Sequence, residues 1–366
     1  MEKIQGKIRI DKQIVEQKQL SLLFITIAGS TLGYGHLNRC LSLAEYAVKR
    51  NLPISFLLFG DSDAFSQIEH AGYDCSLEPV SALGGRFSDI LLKHFDMIDI
   101  VVTDFSHQEV LPDSEYARQA FKDIRSQARK VVVIDALGVQ ALATRIPDMP
   151  IDILVAPYVG ANLPDNSSWQ ILEGPAYAVL SSAYTELHER IVRHDADRVL
   201  VSCGGSDPKK LTALVLDGIE QISSHLKVRV IVGPLFDESI RAILKSAVSS
   251  SRHSIELVNS PWALVEHMMW CDLAIATTGL IKYELAATAT PGILISIDDI
   301  HDLINLPFAN SGSALDLGIR ATPRLIADHV VKLLGNHEAR AAMAMAGRQM
   351  VDNKGAERLI VEIIRS

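Results

Sequence analysis

The 366 residues are 48% hydrophobic and 22% charged, as in ordinary globular proteins, and a chain of this length favours two domains over one. The formal net charge of -9 argues against a protein that binds a nucleic-acid backbone. No apolar run reaches the roughly 18 residues that cross a bilayer, so we expect no membrane insertion. An anionic ligand would have to be held by local donors, such as backbone amides and helix N-termini.

The four cysteines are scattered, without a CxxC pair or a metal-like spacing, which indicates buried thiols in a reducing compartment. The stretch "KQLSLLFITIAG" is similar to the core of a signal peptide, but acidic residues precede it. Cleavage behind it would also remove an apparent core strand. We therefore expect a cytoplasmic protein, and the sequence gives no reason to expect a metal or another cofactor.

Short apolar, β-branched runs recur along the chain in two series, with helix-like stretches between them. The first series comprises 22–28, 54–60, 99–104, 130–136 and 152–157. The second comprises 198–205, 227–234, 254–259, 272–279 and 292–298. Continuous apolar runs of this length are typical of parallel strands covered on both faces. Their alternation with helices predicts two doubly wound α/β sheets.

The two series divide the chain into domains. We expect an N-terminal extension over 1–20, a first Rossmann-like domain over 21–180 and a second over 181–366. The tail predicts two helices separated near Asn353, and these last helices are candidates to cross back onto the first domain. In open α/β sheets, ligands bind at the carboxyl ends of the strands. Two such sheets would place their glycine-rich strand ends across a common cleft.

The stretch "GSTLGYGHLNRCLSLA" follows the first predicted strand. Gly33 and Gly35 permit positive φ and a close approach of backbone to ligand. The apolar spacing beyond them predicts a helix that begins at His36. The positive end of a helix dipole favours an uncharged imidazole, which is the form that a general base needs. Arg39 lies one turn on and could meet a phosphate or carboxylate, although a tight turn with a packed histidine explains the same residues.

Two loops of the second series have a similar arrangement. Gly204, Gly205 and Ser206 follow a strand directly and could cradle a diphosphate, or else Ser206 or Asp207 simply caps a helix. In "IATTGLIKYELAA" a strand leads through two threonines and a glycine to a helix that carries Glu284. That carboxylate could accept both hydroxyls of a ribose, or be a solvated helix residue. A polar cluster over 298–305 admits a metal site, but a polar strand-end loop is the commoner explanation.

Four segments resemble motifs of one known family. "GYGHLNRCLSLA" is similar to G-x-G-H-x-x-R-x-L-x-L-A, and "GPAYAVL" is similar to G-P-x-Y-A-x-L. "VLVSCGGSDPKKLT" matches an apolar strand followed by G-G-[ST]-D, and "TTGLIKYELAATATP" resembles G-G-S-T-x-W-E-x-x-x-L-x-x-P. These are motifs of the UDP-sugar hydrolases of pseudaminic-acid biosynthesis (PseG) and of the related SpsG-type proteins. The resemblance covers roughly residues 22–318.

The resemblance implies a GT-B fold, in which two Rossmann-like domains face a cleft, as in the glycosyltransferase MurG. It implies that His36 is the general base that activates water against the anomeric carbon. The nucleotide-binding residues implied are Gly204, Gly205, Ser206 and Gly279 for the diphosphate and Glu284 for the ribose. The other substrate-binding residues are Gly33, Tyr34, Gly35, Arg39, Asp104, Thr278 and His301. The implied reaction is hydrolysis of a UDP-linked deoxy amino sugar for nonulosonic acid or surface-glycan biosynthesis.

The chain departs from the family pattern at several polar positions. An Asp-His-Tyr segment reads Asp-Phe-Ser-His over 104–107, and an arginine and a glutamate are missing over 180–184. Leu280 and Ile281 replace two hydroxyl residues, and Ile300 and His301 replace Asn-Gln. Two alternatives therefore stay open: an inverting glycosyltransferase that uses a nucleotide-sugar donor, and a catalytically inactive protein that binds one. The sequence does not define an oligomeric state.

Overall fold

The structure is a computed structural model. It describes residues 20–29, 33–84, 86–95, 97–106, 111, 113–135, 141–161, 163, 168–261 and 263–365. The N-terminal extension predicted over 1–20 therefore lies outside the described residues, except for Leu20.

The first half of the chain forms a parallel seven-stranded sheet. Its strands are β1 (Leu22–Ala28), β2 (Ile54–Gly60), β3 (Asp74–Glu78), β4 (Ile98–Asp104), β5 (Ala128–Ile134), β6 (Ile153–Ala156) and β7 (Gln170–Glu173). Their order is β3-β2-β1-β4-β5-β6-β7, and every neighbouring pair is parallel. The five strands predicted for this half are confirmed, β1 and β2 with the predicted bounds, whereas β3 and β7 were not predicted.

The second half forms a parallel six-stranded sheet. Its strands are β8 (Arg198–Ser202), β9 (Lys227–Val232), β10 (Ser254–Asn259), β11 (Leu273–Ala276), β12 (Gly292–Leu294) and β13 (Ala314–Asp316). Their order is β10-β9-β8-β11-β12-β13. Four of the predicted strands, all but 254–259, extended beyond the true carboxyl ends into the loops that follow. At β8 the strand stops at Ser202 because the chain then turns through Gly204 at φ +84°, a conformation that ends a strand.

Helices cover both faces of each sheet. Those of the first half are α1 (Gly35–Val48), α2 (Ser62–His70), α3 (Phe87–His94), α4 (Ser114–Gln127) and α5 (Leu142–Arg145). The later ones are α6 (Leu211–Ile219), α7 (Glu238–Ser250), α8 (Val265–Trp270), α9 (Ile281–Ala287), α10 (Asp299–Ala309), α11 (Pro323–Leu334), α12 (His337–Met350) and α13 (Gly355–Ile364). Alternate residues of β1 enter two separate cores, as expected for a sheet buried on both sides. None of the described helices is both long and apolar enough to cross a membrane.

The last helix packs on the first sheet. Ala356, Leu359, Ile360 and Ile363 of α13 are buried in the core that β1 and α1 form. The tail is divided into two helices near Asn353, as predicted. Residues 174–197 connect the two sheets without a strand, and the domain boundary at 180 stays a prediction.

The carboxyl edges of the two sheets face each other. The loop that follows β6 contacts α9 and α10, which follow the carboxyl ends of β11 and β12. The Val159 amide donates a hydrogen bond of 3.0 Å to the Tyr283 hydroxyl. Gly160, at φ +75°, lies so close to Pro307 that a methyl group on its α-carbon would be 2.9 Å away. The described fold is therefore two doubly wound α/β sheets with opposed strand ends, as predicted.

Candidate functional site

Both sheets have a topological switch point, where the strand order reverses and the crossover helices leave on opposite faces. In the first sheet this point lies between β1 and β4, and in the second between β8 and β11. Crevices at switch points are the usual ligand sites of open α/β sheets. His36 follows β1 and Asp104 ends β4, while Gly204 follows β8 and Thr277 follows β11. Several of the predicted site residues, among them His36, Asp104 and Gly204, thus lie at the two switch points, whereas His301 follows β12.

The turn between β1 and α1 is closed by its own backbone. The Gly33 amide donates to the Gly29 carbonyl at 2.8 Å, and Gly33 adopts φ +75°, as its predicted role required. Gly35 does not adopt positive φ, because it is the first residue of α1. Tyr34 precedes the helix, and burial together with Asp61 and Asp63 raises the pKa of its hydroxyl. Residues 30–32 of this turn lie outside the described part.

His36 lies in the first turn of α1, as predicted, and contacts a buried ion pair. Its Nδ1 atom is 2.6 Å from Oδ1 of Asp104. Arg39 donates to both oxygens of the same carboxylate, from Nε at 2.6 Å and from Nη2 at 2.8 Å. The side chain of Asp104 has no exposed surface, whereas 12% of the His36 side chain is exposed. The imidazole is therefore the most exposed side chain of this cluster, since that of Arg39 is 8% exposed.

This geometry defines the tautomer of His36. A carboxylate oxygen only accepts hydrogen bonds, and two acceptors at 2.6 Å would repel each other, so Nδ1 carries the hydrogen and donates it to Asp104. The Nη2 atom of Arg39, 3.0 Å from Nδ1, carries hydrogens as well and is turned to the same carboxylate. In an uncharged His36, Nε2 then holds the free lone pair. A buried carboxylate that orients a histidine in this way is typical of sites for general-base catalysis.

Asp104 and Arg39 are hydrogen-bonded to each other, and the substrate-binding roles given to them stay predictions. Burial alone would raise the pKa of Asp104, but Arg39 and His36 lower it below its ordinary value. Burial alone would lower the pKa of Arg39, and the Asp104 carboxylate raises it instead. Asp104 is fully buried, and Arg39 is turned to its oxygens. Their contacts position His36.

In the second half, the loop after β8 is exposed on one side and packs on the other against the loop after β9. Gly204, at φ +84°, and Gly205 are exposed, and Ser206 is partly exposed. The Gly205 carbonyl accepts from the Leu235 amide at 3.0 Å. A methyl group on Gly233, which follows β9, would lie 2.2 Å from that carbonyl. The loop after β9 can therefore pack against the loop after β8 only because residue 233 is glycine. The glycine pair is therefore held in a fixed turn at the switch point.

Asp207 caps the helix that follows this loop. Its two carboxylate oxygens accept from the amides of Leu211 and Thr212 at 2.7 and 2.9 Å. Asp207 is buried at φ +45°, and burial raises its pKa. Of the two explanations left open for these residues, the capped helix start is thus present. The first amides of α6 are occupied by Asp207, and only the turn from Gly204 to Ser206 is left open to a ligand.

The loop after β11 contains two hydroxyls without partners. Within the described residues, the Oγ1 atoms of Thr277 and Thr278 are buried and form no hydrogen bond. Thr277 Oγ1 would lie 3.8 Å from a methyl group on Gly204, so this loop adjoins the glycine turn. Gly279 adopts φ +113° directly behind them. Buried polar groups are normally paired, so unpaired hydroxyls at a switch point indicate a place for a ligand.

Glu284 lies in the first turn of α9, at the inner end of that loop. Its side chain is partly buried, and burial raises its pKa to about 7, while the nearby Tyr184 hydroxyl lowers it. Tyr184 comes from the connector between the sheets, and its own pKa is raised by burial and by Glu284. Glu284 is thus no ordinary solvated helix residue.

The polar cluster at 298–305 is a helix start. Asp298 caps α10 by accepting from the His301 amide at 2.9 Å, and it also lies 2.7 Å from Nδ1 of His301. The side chain of His301 is one-third exposed. The part of the chain that the structure describes holds no group of three or more His, Cys, Asp or Glu that could bind a metal ion. His107, in the segment that departs from the family pattern, lies outside the described residues.

Three tyrosines at the cleft were not predicted. Tyr158 follows β6, Tyr184 lies beside Glu284, and Tyr283 receives the hydrogen bond from Val159. A signal for Tyr158 was present, since it follows the predicted strand 152–157 at its carboxyl end. Tyr184 gave no such signal, because it lies in a connector without periodicity.

Two opposed α/β sheets with sites at both switch points define the GT-B class of fold, and comparison with solved structures confirms this. Acinetobacter baumannii MurG superposes with a TM-score of 0.66, at 14% identity over 94% of this chain and 99% of that one. The complex of S. aureus MnaA with UDP gives 0.63, at 13% identity over 94% and 96%. The spinosyn forosaminyltransferase SpnP gives 0.59, at 13% identity over 94% and 100%.

Among characterised sequences, the chain is similar to the spore coat polysaccharide biosynthesis protein SpsG of Bacillus subtilis. The two are 24% identical over 347 residues, which cover 90% of this chain and 94% of SpsG. The uncharacterized protein MJ1062 of Methanocaldococcus jannaschii is 24% identical over 297 residues, 77% of this chain and 57% of that protein. No protein-family model matches the chain. The predicted resemblance to SpsG-type proteins is confirmed, and this chain is a divergent homologue.

Proposed function

We propose that the protein hydrolyses a nucleotide-activated deoxy amino sugar, with UDP as the nucleotide, and releases UDP and the free sugar for nonulosonic acid or surface-glycan biosynthesis. The observation that carries the proposal is the hydrogen bond between Nδ1 of His36 and Asp104 at the first switch point. The homology to a spore coat polysaccharide biosynthesis protein supports a role in glycan synthesis.

In the proposed reaction, Nε2 of His36 accepts a proton from a water molecule. The water oxygen attacks the anomeric carbon while the bond between that carbon and the diphosphate oxygen breaks. UDP leaves with the bonding electron pair, and the proton remains on the imidazole. Asp104 stabilises the imidazolium formed, since its buried carboxylate already accepts from Nδ1.

The leaving UDP would be held by the second half. Its diphosphate would bind to the exposed turn of Gly204, Gly205 and Ser206 and to the unpaired hydroxyls of Thr277 and Thr278. Donors aimed at the leaving oxygen stabilise the charge that develops there, which lowers the barrier without a change in ground-state binding. Glu284 in its ionised form would accept hydrogen bonds from the ribose hydroxyls, on the same side of the cleft.

The test is UDP release from UDP-sugars in ¹⁸O-labelled water without any acceptor. We expect release, with the label in the sugar and not in UDP, because water attacks carbon rather than phosphorus. The change His36→Ala should abolish release while UDP still binds. The matched control is His70→Ala, which removes an exposed histidine of α2 that lies outside the site.

Strict dependence of UDP release on an added acceptor hydroxyl would instead favour the transferase alternative, in which the same base deprotonates the acceptor. Binding of UDP-sugars without release under any condition would favour the inactive alternative. Ligand-induced thermal stabilisation across UDP-, CMP-, GDP- and dTDP-sugars would define the nucleotide, since a ligand that binds the folded state raises its apparent stability.

A further inference from the structure

Tyr158 carries a hydroxyl that nothing in the described protein uses. It lies two residues beyond β6, at the carboxyl edge of the first sheet. Its hydroxyl oxygen is closed to solvent and has no hydrogen-bond partner among the described residues. Leaving a buried hydroxyl unpaired costs free energy, so such groups are rare unless a ligand completes them.

Two of the three charges around this hydroxyl, those of Arg39 and Asp104, belong to the His36 site. Burial raises the pKa of Tyr158 to about 12; Arg39 acts against that rise, and Asp104 and Asp135 add to it. These groups follow or end β1, β4 and β5; β5 is the neighbour of β6, and β4 and β1 are the next two strands in the sheet order. The hydroxyl therefore keeps its proton at neutral pH and can donate a hydrogen bond close to the reacting end of the site.

The ring of Tyr158 has a structural role, but the hydroxyl does not. The ring packs edge-on against Tyr283, with centroids 6.0 Å apart and planes at 66°. Tyr283 in turn packs edge-on against Phe308 at 5.1 Å and accepts from the Val159 amide at 3.0 Å. A phenylalanine at 158 would keep the ring contact. The fold therefore explains an aromatic residue here but not its oxygen.

We propose that the Tyr158 hydroxyl binds the sugar of the substrate, by donating a hydrogen bond to one of its oxygens. This inference rests on the proposed function. The sugar rather than the nucleotide is the ligand, because Tyr158 lies on the His36 side of the cleft, whereas the loops after β8 and β11 belong to the opposite sheet. Tyr158 thus sets affinity for the sugar part of the ligand.

The test compares Tyr158→Phe with unchanged protein by calorimetric titration, with UDP-N-acetylglucosamine and UDP as probes. We expect a roughly three- to tenfold loss of affinity for the sugar nucleotide, the size of one net hydrogen bond, and unchanged affinity for UDP. The thermal midpoint should stay the same or rise, because an unpaired buried group is removed. The control is Tyr73→Phe, which removes a hydroxyl just before β3, at the amino edge of the sheet.

Equal losses for both probes, or no loss for either, would overturn the inference. Tyr283→Phe separates a sugar contact from a mere contact between the two halves. This variant loses the hydrogen bond from Val159 but keeps the aromatic ring. If its affinity for the sugar nucleotide alone falls as much as that of Tyr158→Phe, the inference is also overturned. Failure of unchanged protein to bind either probe would overturn the proposed function as well, whereas binding without the tyrosine effect would overturn this inference alone.

Discussion

Asp104 determines which nitrogen of His36 can act as a base. The change Asp104→Asn keeps the shape of the side chain but lets its amide donate to Nδ1, which moves the imidazole hydrogen to Nε2. We expect kcat to fall on the order of a hundredfold or more, with the affinity for UDP unchanged. The measurement is UDP release together with UDP titration.

The same change should also destabilise the fold, because Arg39 stays buried without a full ion-pair partner. Breaking one partner out of a buried pair typically costs about 3 kcal/mol or more in the free energy of unfolding, which urea titration measures. The control is Asp148→Asn, which removes the partner of Arg118 from an exposed pair and should leave activity and stability unaltered. Full activity in Asp104→Asn would mean that His36 needs no orientation by a carboxylate.

Glu284 should make binding depend on pH near neutrality. Burial raises its pKa to about 7, so half of the molecules carry a neutral acid there. If the carboxylate accepts the ribose hydroxyls, the affinity for UDP-N-acetylglucosamine rises as pH increases from 6 to 8 and levels off above the pKa. The diphosphate of this probe has no proton to lose in that range. In Glu284→Gln the affinity should not change with pH. If it still rises from pH 6 to 8 in this variant, the ribose binds elsewhere.

Stability should show the opposite trend. The pKa of Glu284 is raised in the folded protein above its ordinary value of 4.5, so the folded state keeps this proton after the unfolded chain has lost it. Its contribution to the free energy of unfolding is therefore present below pH 4.5 and is lost as pH rises to about 7. Urea titrations of Glu284→Gln should lack this contribution.

At the scale of elements, the sequence predicts the central strands and misses three of the four edge strands. β1 and β2 have the predicted bounds because their apolar runs are sharply delimited. β10 is the one edge strand among the described strands that was predicted, also with its bounds. β3, β7 and β13 are edge strands of three to five residues, and "DCSLE" and "QILE" carry polar residues where a central strand is apolar. Each of these three strands has one neighbour in its sheet, and none carries the apolar run by which we identified the central strands.

Asp207 stabilises the candidate nucleotide-binding loop by capping the helix that follows it. Asp207→Ala removes the acceptor for the amides of Leu211 and Thr212 and should cost about 1–2 kcal/mol in the free energy of unfolding. Asp207→Asn should cost less, because its amide oxygen still caps and asparagine tolerates the backbone at φ +45°. Urea unfolding of the two variants measures this difference. If Asp207→Asn lost as much stability as Asp207→Ala, the charge of Asp207 rather than its capping hydrogen bonds would stabilise this turn.

At the scale of the molecule, the strand-end rule and the family resemblance pointed to the candidate site but not to how its parts meet. His36 and the glycine loops follow apolar strands, so their position at the sheet edges could be predicted. The contact of His36 with Asp104 joins residues 68 apart in sequence, and nothing in the local pattern specifies it. Tyr158 and Tyr283 meet only because the two halves face each other, which no local periodicity encodes.

The last helix should couple the end of the chain to the stability of its beginning. Leu359 of α13 is fully buried in the core that supports α1 and therefore His36. Leu359→Ala leaves a cavity there and should cost about 2–4 kcal/mol in the free energy of unfolding. Hydrogen exchange followed by mass spectrometry should speed up in peptides of β1, α1 and β2, although the mutated residue lies more than 300 positions further along the chain.

The matched control is Leu244→Ala in α7, an equally buried leucine in the core of the second sheet. Its faster exchange should appear in β8 to β10 and not in the first sheet, because each half buries its own core and cavities act locally. If both variants instead speed up exchange throughout the chain, the halves unfold as one unit. The contact between Val159 and Tyr283 would then join two parts of a single cooperative fold, and nucleotide binding to the second half would protect His36 and α1 as strongly as its own loops.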